Sequence, residues 1–225
     1  MHPLDRPVWA SLTTYHAPLS EGGELARRFL PDVNLFAATV DDTPEALAAL
    51  AKLVRPRETL FLAQVPEILL PPAFEVLKAA QCVQMVATRS VSTEIAREDI
   101  RVLTDEDAPE MLALARLTEP GPFLTRTHTM GTFFGIRIDG RLAAMAGERM
   151  RFPGYTEVSG VCTHPDFRGR GLARSLSAVV AARIQARGEQ PFLHAWKSNQ
   201  AAVSLYEGLG FELRTEVNVA VLESS

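Results

Sequence analysis

The sequence predicts an α/β (α+β) protein, and three observations carry that prediction. Short apolar runs alternate with helical patterns along the first half, as in VNLFAATV (33–40) followed by EALAALAKLV (45–54). A β-hairpin signal follows later, where FFGIRI and RLAAMAGERM flank Asp139-Gly140. Finally, the strand-like YTEVSGVCT (155–163) leads through a glycine-rich turn into an amphipathic helix.

In chain order, Asp42-Thr43-Pro44 offers a cap and a first-turn proline for the helix at 45–54, and TLFLAQV (59–65) reads as a strand. Pro71-Pro72 predicts a helix over AFEVLKAA, with a further strand at CVQMVATR (82–89). A polar stretch from Ser92 to Asp99 suggests a boundary, giving a domain over 1–95 and another over 96–225. Beyond it, IRVL (100–103) is strand-like and PEMLALARL helical, and EPGPFLTRTHTMG is a loop with room for one short helix. After the glycine-rich turn, Leu172, Leu176, Val179, Val180 and Ile184 share one helical face, and Gly188 suits the left-handed stop.

Composition narrows the function. With 47% hydrophobic residues the chain can bury a sizeable core, and a net charge of −4 argues against nucleic acid as the main partner. No run of 18 apolar residues predicts a membrane span, and MHPLDRPVW lacks the pattern of a secretory signal, so the expected location is cytoplasmic. Cys82 and Cys162 form no disulfide framework, and the five histidines have no paired ligand spacing, so no metal is expected. Oligomeric state is not set by the sequence, and a homodimer is compatible with it.

The stretch HPDFRGRGLA (164–173) packs two arginines and two glycines between a strand and a helix N-terminus. There, unpaired backbone N–H groups and the positive end of the helix dipole favour an anion, and glycines let it approach closely. A Rossmann fingerprint would need Gly or Ala where Arg174 stands, and Arg174-Ser175-Leu176 does not supply the Gly-Lys-Ser/Thr of a P-loop.

VCTHPDFRGRGLA instead resembles the signature of the GNAT superfamily of acyl-CoA-dependent N-acetyltransferases, Arg/Gln-x-x-Gly-x-Gly/Ala, matched by Arg168, Gly171 and Ala173. EVSGVCTHP is similar to the family's fourth strand and NQAAVSLYEGLGF (199–211) to its second motif, so the resemblance covers roughly 97–222. It implies a mixed, twisted central sheet flanked by helices, preceded by a smaller α/β domain. It also implies acetyl-CoA as co-substrate, its pyrophosphate cradled by Arg168, Gly169, Arg170, Gly171, Leu172 and Ala173. The pantetheine arm would lie between YTEVSGVCT and PFLHAW, bonded to the backbone of Val161, Cys162 and Thr163, with Asn199 hydrogen-bonding the cofactor.

Gly160 inside a strand suggests a bulge or a close backbone approach, and the six residues from Glu157 to Thr163 span about 20 Å if extended. Glu157 would then lie near the thioester. By the family match it is the expected general base, and Tyr206 the expected general acid to the departing thiolate. His164, the rival base, sits beside the phosphate turn and reads as structural. Arg126 and His128 are candidates to meet an acceptor carboxylate, although a solvated loop explains them equally well. An α/β half before such a core also resembles tandem-GNAT, glycine N-acyltransferase-like chains whose first copy has lost its cofactor motif. The expected activity is acetyl transfer to a primary amine of a small molecule, amino acid or peptide through a ternary complex. The alternative is a non-catalytic acyl-CoA sensor.

Overall fold

The computed structural model describes residues 2–70, 74–92 and 99–224. Eleven strands and five α-helices are present among these residues. They are α1 (Pro7–Leu12), β1 (Ser20–Gly22), β2 (Ala26–Phe29), β3 (Ala37–Thr39), α2 (Pro44–Lys52), β4 (Thr59–Gln64), β5 (Phe74–Ala87) and β6 (Ile100–Val102). The chain continues with α3 (Ala108–Thr118), β7 (Phe133–Ile138), β8 (Arg141–Phe152), β9 (Tyr155–Thr163), α4 (Leu172–Ala186), β10 (Gln190–Trp196), α5 (Gln200–Glu207) and β11 (Phe211–Ser224). β1–β2–β3 form a small antiparallel sheet. The other strands form one sheet in the order β4-β11-β5-β10-β9-β8-β7-β6.

That sheet is mixed, as expected. β9 and β10 are parallel, joined through α4, and the other pairs are antiparallel. The β7–β8 hairpin turns on Asp139 (φ 51°) and Gly140 (φ 77°), the paired left-handed conformation of a tight hairpin. Thr43 caps α2 by accepting from the Ala46 N–H, and Gly188 follows α4 at φ 76°. Leu176, Val180 and Ile184 of α4 pack with Ile136, Ala144 and Leu193 on one face of the sheet. On the other face, Leu4, Val8 and Phe29 pack with Met150, Phe152 and Phe192, while Met111 and Leu114 of α3 cover Met145 and Cys162. No helix among the described residues is long and apolar enough to cross a membrane.

The expected helix at AFEVLKAA is not one. Pro71 to Ala73 lie outside the described residues, and from Phe74 onward the chain is strand, continuous with the run at 82–89. β5 pairs with β11 from Phe74–Ser224 to Ala87–Phe211, so an extended partner overrides the helical preference of Leu, Lys and Ala. The strand expected over 33–40 is likewise only Ala37–Thr39, with Phe36 bridged to Phe61. The expected domain boundary at 95/96 falls among residues 93–98, outside the described ones. Strands from both sides of it interleave in one sheet, with β5 between β11 and β10.

Candidate active site

The glycine-rich turn is built as an open cradle. His164 caps the short turn Pro165–Phe167, and its ring also receives a hydrogen bond from Arg141, which ion-pairs with Asp166. Its contacts are structural. Arg168 is extended, then Gly169 (φ 77°) and Gly171 (φ 74°) take left-handed conformations that L-residues avoid. The first helical bond across this turn runs from Ser175 N–H to Gly171 C=O at 3.1 Å, so the N–H groups of Leu172 to Arg174 have no intrahelical acceptor. A Cβ placed on Gly169 or Gly171 would meet no protein atom within 4 Å, so this face of the backbone is uncovered. Arg170 rests over the Phe167 ring at 5.4 Å, and Arg168 lines the adjoining cleft.

The cleft begins where two strands part. β9 and β10 pair only over Tyr155–Glu157 and Gln190–Phe192. Against β8, the register of β9 jumps from Ser159–Gly147 to Cys162–Met145, which makes Gly160 and Val161 a bulge, with Gly160 at φ 61°. A Cβ at Gly160 would lie 2.8 Å from the Phe133 ring, so glycine is required for both conformation and space. The resulting cavity of about 320 Å³ runs from Arg168 past Val161–Thr163 to Tyr206, and on to Arg149, Phe36 and Phe61. Phe36 and Phe61 come from the first half of the chain, where the sequence showed no chemical motif. Both cysteines border this region, but burial pushes Cys82 up to about 12 and Cys162 up to about 11. Neither is a thiolate near neutral pH, so neither suits a covalent acyl carrier.

Glu157, the expected base, sits at the centre of a buried hydrogen-bond cluster. It is fully buried, and its oxygens accept from Arg149 Nε at 2.8 Å, Arg149 Nη2 at 2.7 Å, the Met150 N–H at 3.4 Å and His194 Nδ1 at 2.7 Å. Burial alone would raise this carboxyl. The Arg149 charge and the hydrogen bonds from Arg149 and His194 outweigh it and hold Glu157 well below the usual carboxylate range. A base must offer a lone pair to the amine, and these four donors occupy the carboxylate.

His194 and Arg149 are the groups that sequence reading missed. Arg214 donates to Gln84 Oε1 at 2.9 Å, which turns the Gln84 amide nitrogen toward Leu4 C=O (2.9 Å) and His194 Nε2 (3.0 Å). Nε2 therefore accepts, and the proton sits on Nδ1 facing Glu157. The available signal was a histidine two residues beyond Phe192 on a strand otherwise apolar, and an arginine inside RLAAMAGERM. Neither spacing indicates that the bulged pairing of β8 and β9 brings them to Glu157.

Tyr206 lines the cleft, with its ring edge-on to Phe211 at 5.9 Å. Burial pushes its phenol up to about 12, against a smaller lowering by Ser177, so it stays protonated at neutral pH. Asn199 also lines the cleft, and its side-chain oxygen caps α5 by accepting from the Ala202 N–H at 3.1 Å. Arg174 of α4 donates to Gly208 C=O at 2.9 Å, tying the cradle helix to the end of the tyrosine helix. Arg126 pairs with Asp32 and His128 with Asp105, each at 3.2 Å, and neither lines this cleft.

The family described as FR47-like protein matches residues 133–220, a range that contains Glu157, the cradle, Asn199 and Tyr206. A crystal structure of a protein assigned to the GNAT family of acetyltransferases, from Novosphingobium aromaticivorans, is 44% identical, covers 100% of both chains and superposes with a TM-score of 0.93. The [ribosomal protein bS18]-alanine N-acetyltransferase of Salmonella typhimurium is 29% identical over 127 residues, 52% of this chain and 82% of that enzyme. Mycothiol acetyltransferase of Thermobispora bispora is 45% identical over 56 residues, 24% of this chain. That match spans only 19% of the mycothiol enzyme's length.

Proposed function

The chain belongs to the GNAT family of acetyltransferases, and from that premise we propose that it moves an acetyl group from acetyl-CoA to a primary amine by direct attack in a ternary complex. The observation that carries this reading is the continuity of one cleft from Arg168, at the edge of the open glycine turn, past the β9 bulge, to a protonated tyrosine. Acetyl-CoA supplies the activated thioester. The uncovered backbone at Gly169 and Gly171 fits a pyrophosphate, with Arg168 and Arg170 adding charge and the N–H groups of Leu172 and Ala173 as donors. Val161 to Thr163 offer backbone groups to the pantetheine arm, and Asn199 retains its amide N–H groups after capping α5.

Tyr206 donates a hydrogen bond to the leaving sulfur rather than giving up its proton outright. A phenol near 12 lies well above a thiol of about 8.5, so complete transfer would be uphill. Tyr206→Phe is expected to lower kcat by about 10- to 100-fold while sparing acetyl-CoA affinity. Unchanged turnover at saturating substrates would remove Tyr206 from this role.

Glu157 acts by position. It holds Arg149 and the His194 ring in place and takes no proton from the amine. The acceptor then reacts as the free amine drawn from solution: its N–C bond forms as the C–S bond breaks, and the proton shed by the nitrogen goes to the departing thiolate, giving the free thiol of CoA. Because Glu157 is held below the usual carboxylate range, it stays ionised over about pH 5–9 and adds no limb to the profile there. On this account kcat/KM rises about tenfold per pH unit up to the acceptor's own pKa, and the break moves when the acceptor is changed. A break that stays put across acceptors would restore an enzymic base.

The function itself is tested by a thiol-release assay with acetyl-CoA against pools of amines, amino acids and peptides. Release in one pool is the expected result. Acetyl-CoA binding without release in any pool would favour the sensor.

A further inference from the structure

We infer that Arg149 Nη1 forms an anion subsite at the acceptor end of the cleft, and that the acceptor is an amine bearing a carboxylate close to its nitrogen, as an α-amino acid does. The inference rests on the acetyl-transfer reading and deepens it.

Arg149 spends Nε and Nη2 on Glu157, at 2.8 and 2.7 Å. The fork is thereby fixed, and its third nitrogen, Nη1, has no hydrogen-bond partner among the described residues. The residue is only 9% exposed, and it lines the cleft. Nη1 is not sealed in but keeps some solvent-accessible surface. It therefore presents two N–H donors to the cavity.

Two further features keep it so. The Phe36 ring lies against the guanidinium at 4.9 Å, supporting it from one face. Gly121 leaves space beside Nη1, since a Cβ there would sit 3.7 Å from it, in van der Waals contact. A buried Arg–Glu pair is weak support for stability, since apolar residues of the same volume hold a fold as well. A donor aimed into a cavity gives the pair a function.

The surroundings suit a carboxylate. Lys78 and Arg116 line the adjoining pocket, and the one carboxylate there, Glu119, lines both that pocket and the cleft. Phe61 and Trp196 wall the passage between the two spaces, so the acid best accommodated carries an apolar side chain. Ser159 and Gly160 of the bulge border the same space as Arg149.

The test compares each amino acid with its own amide, using glycine, leucine and phenylalanine in the thiol-release assay on the wild-type chain. Less of the acid's nitrogen is free at a given pH, so amine reactivity alone favours the amide. The subsite instead predicts kcat/KM at least tenfold higher for leucine and phenylalanine than for their amides, the gain lying in KM. Arg149→Lys, which keeps a cation for Glu157 but has no Nη1, should bring the acid-to-amide ratio to about one. Amides used as well as or better than acids would overturn the subsite while leaving acetyl transfer standing. So would acetyl-CoA binding with no release from any acid. Failure of acetyl-CoA itself to bind, read by calorimetry, would overturn the acetyl-transfer reading and this inference with it.

Discussion

Gly171→Val is expected to weaken acetyl-CoA binding by at least about 100-fold while leaving the chain folded. Gly171 sits at φ 74° at the mouth of α4, where a β-branched residue is strained by about 1–2 kcal/mol. No protein atom lies within 4 Å of the added Cβ, so the substitution meets nothing in the fold itself. The new side chain occupies the space from which a phosphate must reach the N–H groups of the turn. Losing two charge-assisted hydrogen bonds, each worth about 1.5–3 kcal/mol, removes about 3–6 kcal/mol and gives the expected loss of affinity. Thermal stability should fall by only about 2–8 °C for a chain of this size. A folded variant with wild-type affinity would mean that the turn is not the cradle.

The largest stability effect is expected at Glu157. Glu157→Gln leaves the Arg149 guanidinium buried without its anion, which costs about 3–5 kcal/mol and lowers Tm by about 6–20 °C. Arg149→Met/Glu157→Leu removes both charges together and should recover most of that loss, short of the His194 Nδ1–H left without its acceptor. The pH dependence has a definite sign. The folded carboxyl is held below its unfolded value, so its contribution is fully present above that value and fades as pH falls through the folded one. The gap between wild type and Glu157→Gln should therefore be constant from about pH 6 to 9 and narrow only in acid. A Glu157→Gln variant as stable as wild type, measured by thermal unfolding at pH 7, would contradict the ion-pair reading.

The parts legible in the sequence are those that local chemistry determines. Asp139-Gly140 prescribes a hairpin from two residues, Thr43-Pro44 starts a helix, and the spacing from Leu172 to Ile184 marks its buried face. Gly160 signalled a bulge because a strand interior gains nothing from glycine otherwise. The conformation of the glycine-rich turn was legible for the same reason, as charge and conformational freedom concentrated in ten residues.

The rest depends on partners distant in sequence. Phe74 to Ala80 carry a helical composition, and only β11, more than a hundred residues away, makes them strand. Glu157 was found by position in a motif, but its chemical state depends on Arg149, eight residues back across a bulged hairpin, and on His194. On the proposed mechanism that state makes it an anchor instead of a proton acceptor. The Phe36–Phe61 end of the cleft was invisible because these residues reach it only through the long-range pairing of the chain.

The most direct measurement is calorimetric titration of the wild-type chain with acetyl-CoA beside S-acetyl-pantetheine, which has the same thioester and arm but no pyrophosphate. The expected result is one-to-one binding of acetyl-CoA and at least about 100-fold weaker binding of the truncated thioester. Equal affinity for the two, or no binding of acetyl-CoA at all, would contradict the assignment of HPDFRGRGLA as the pyrophosphate cradle.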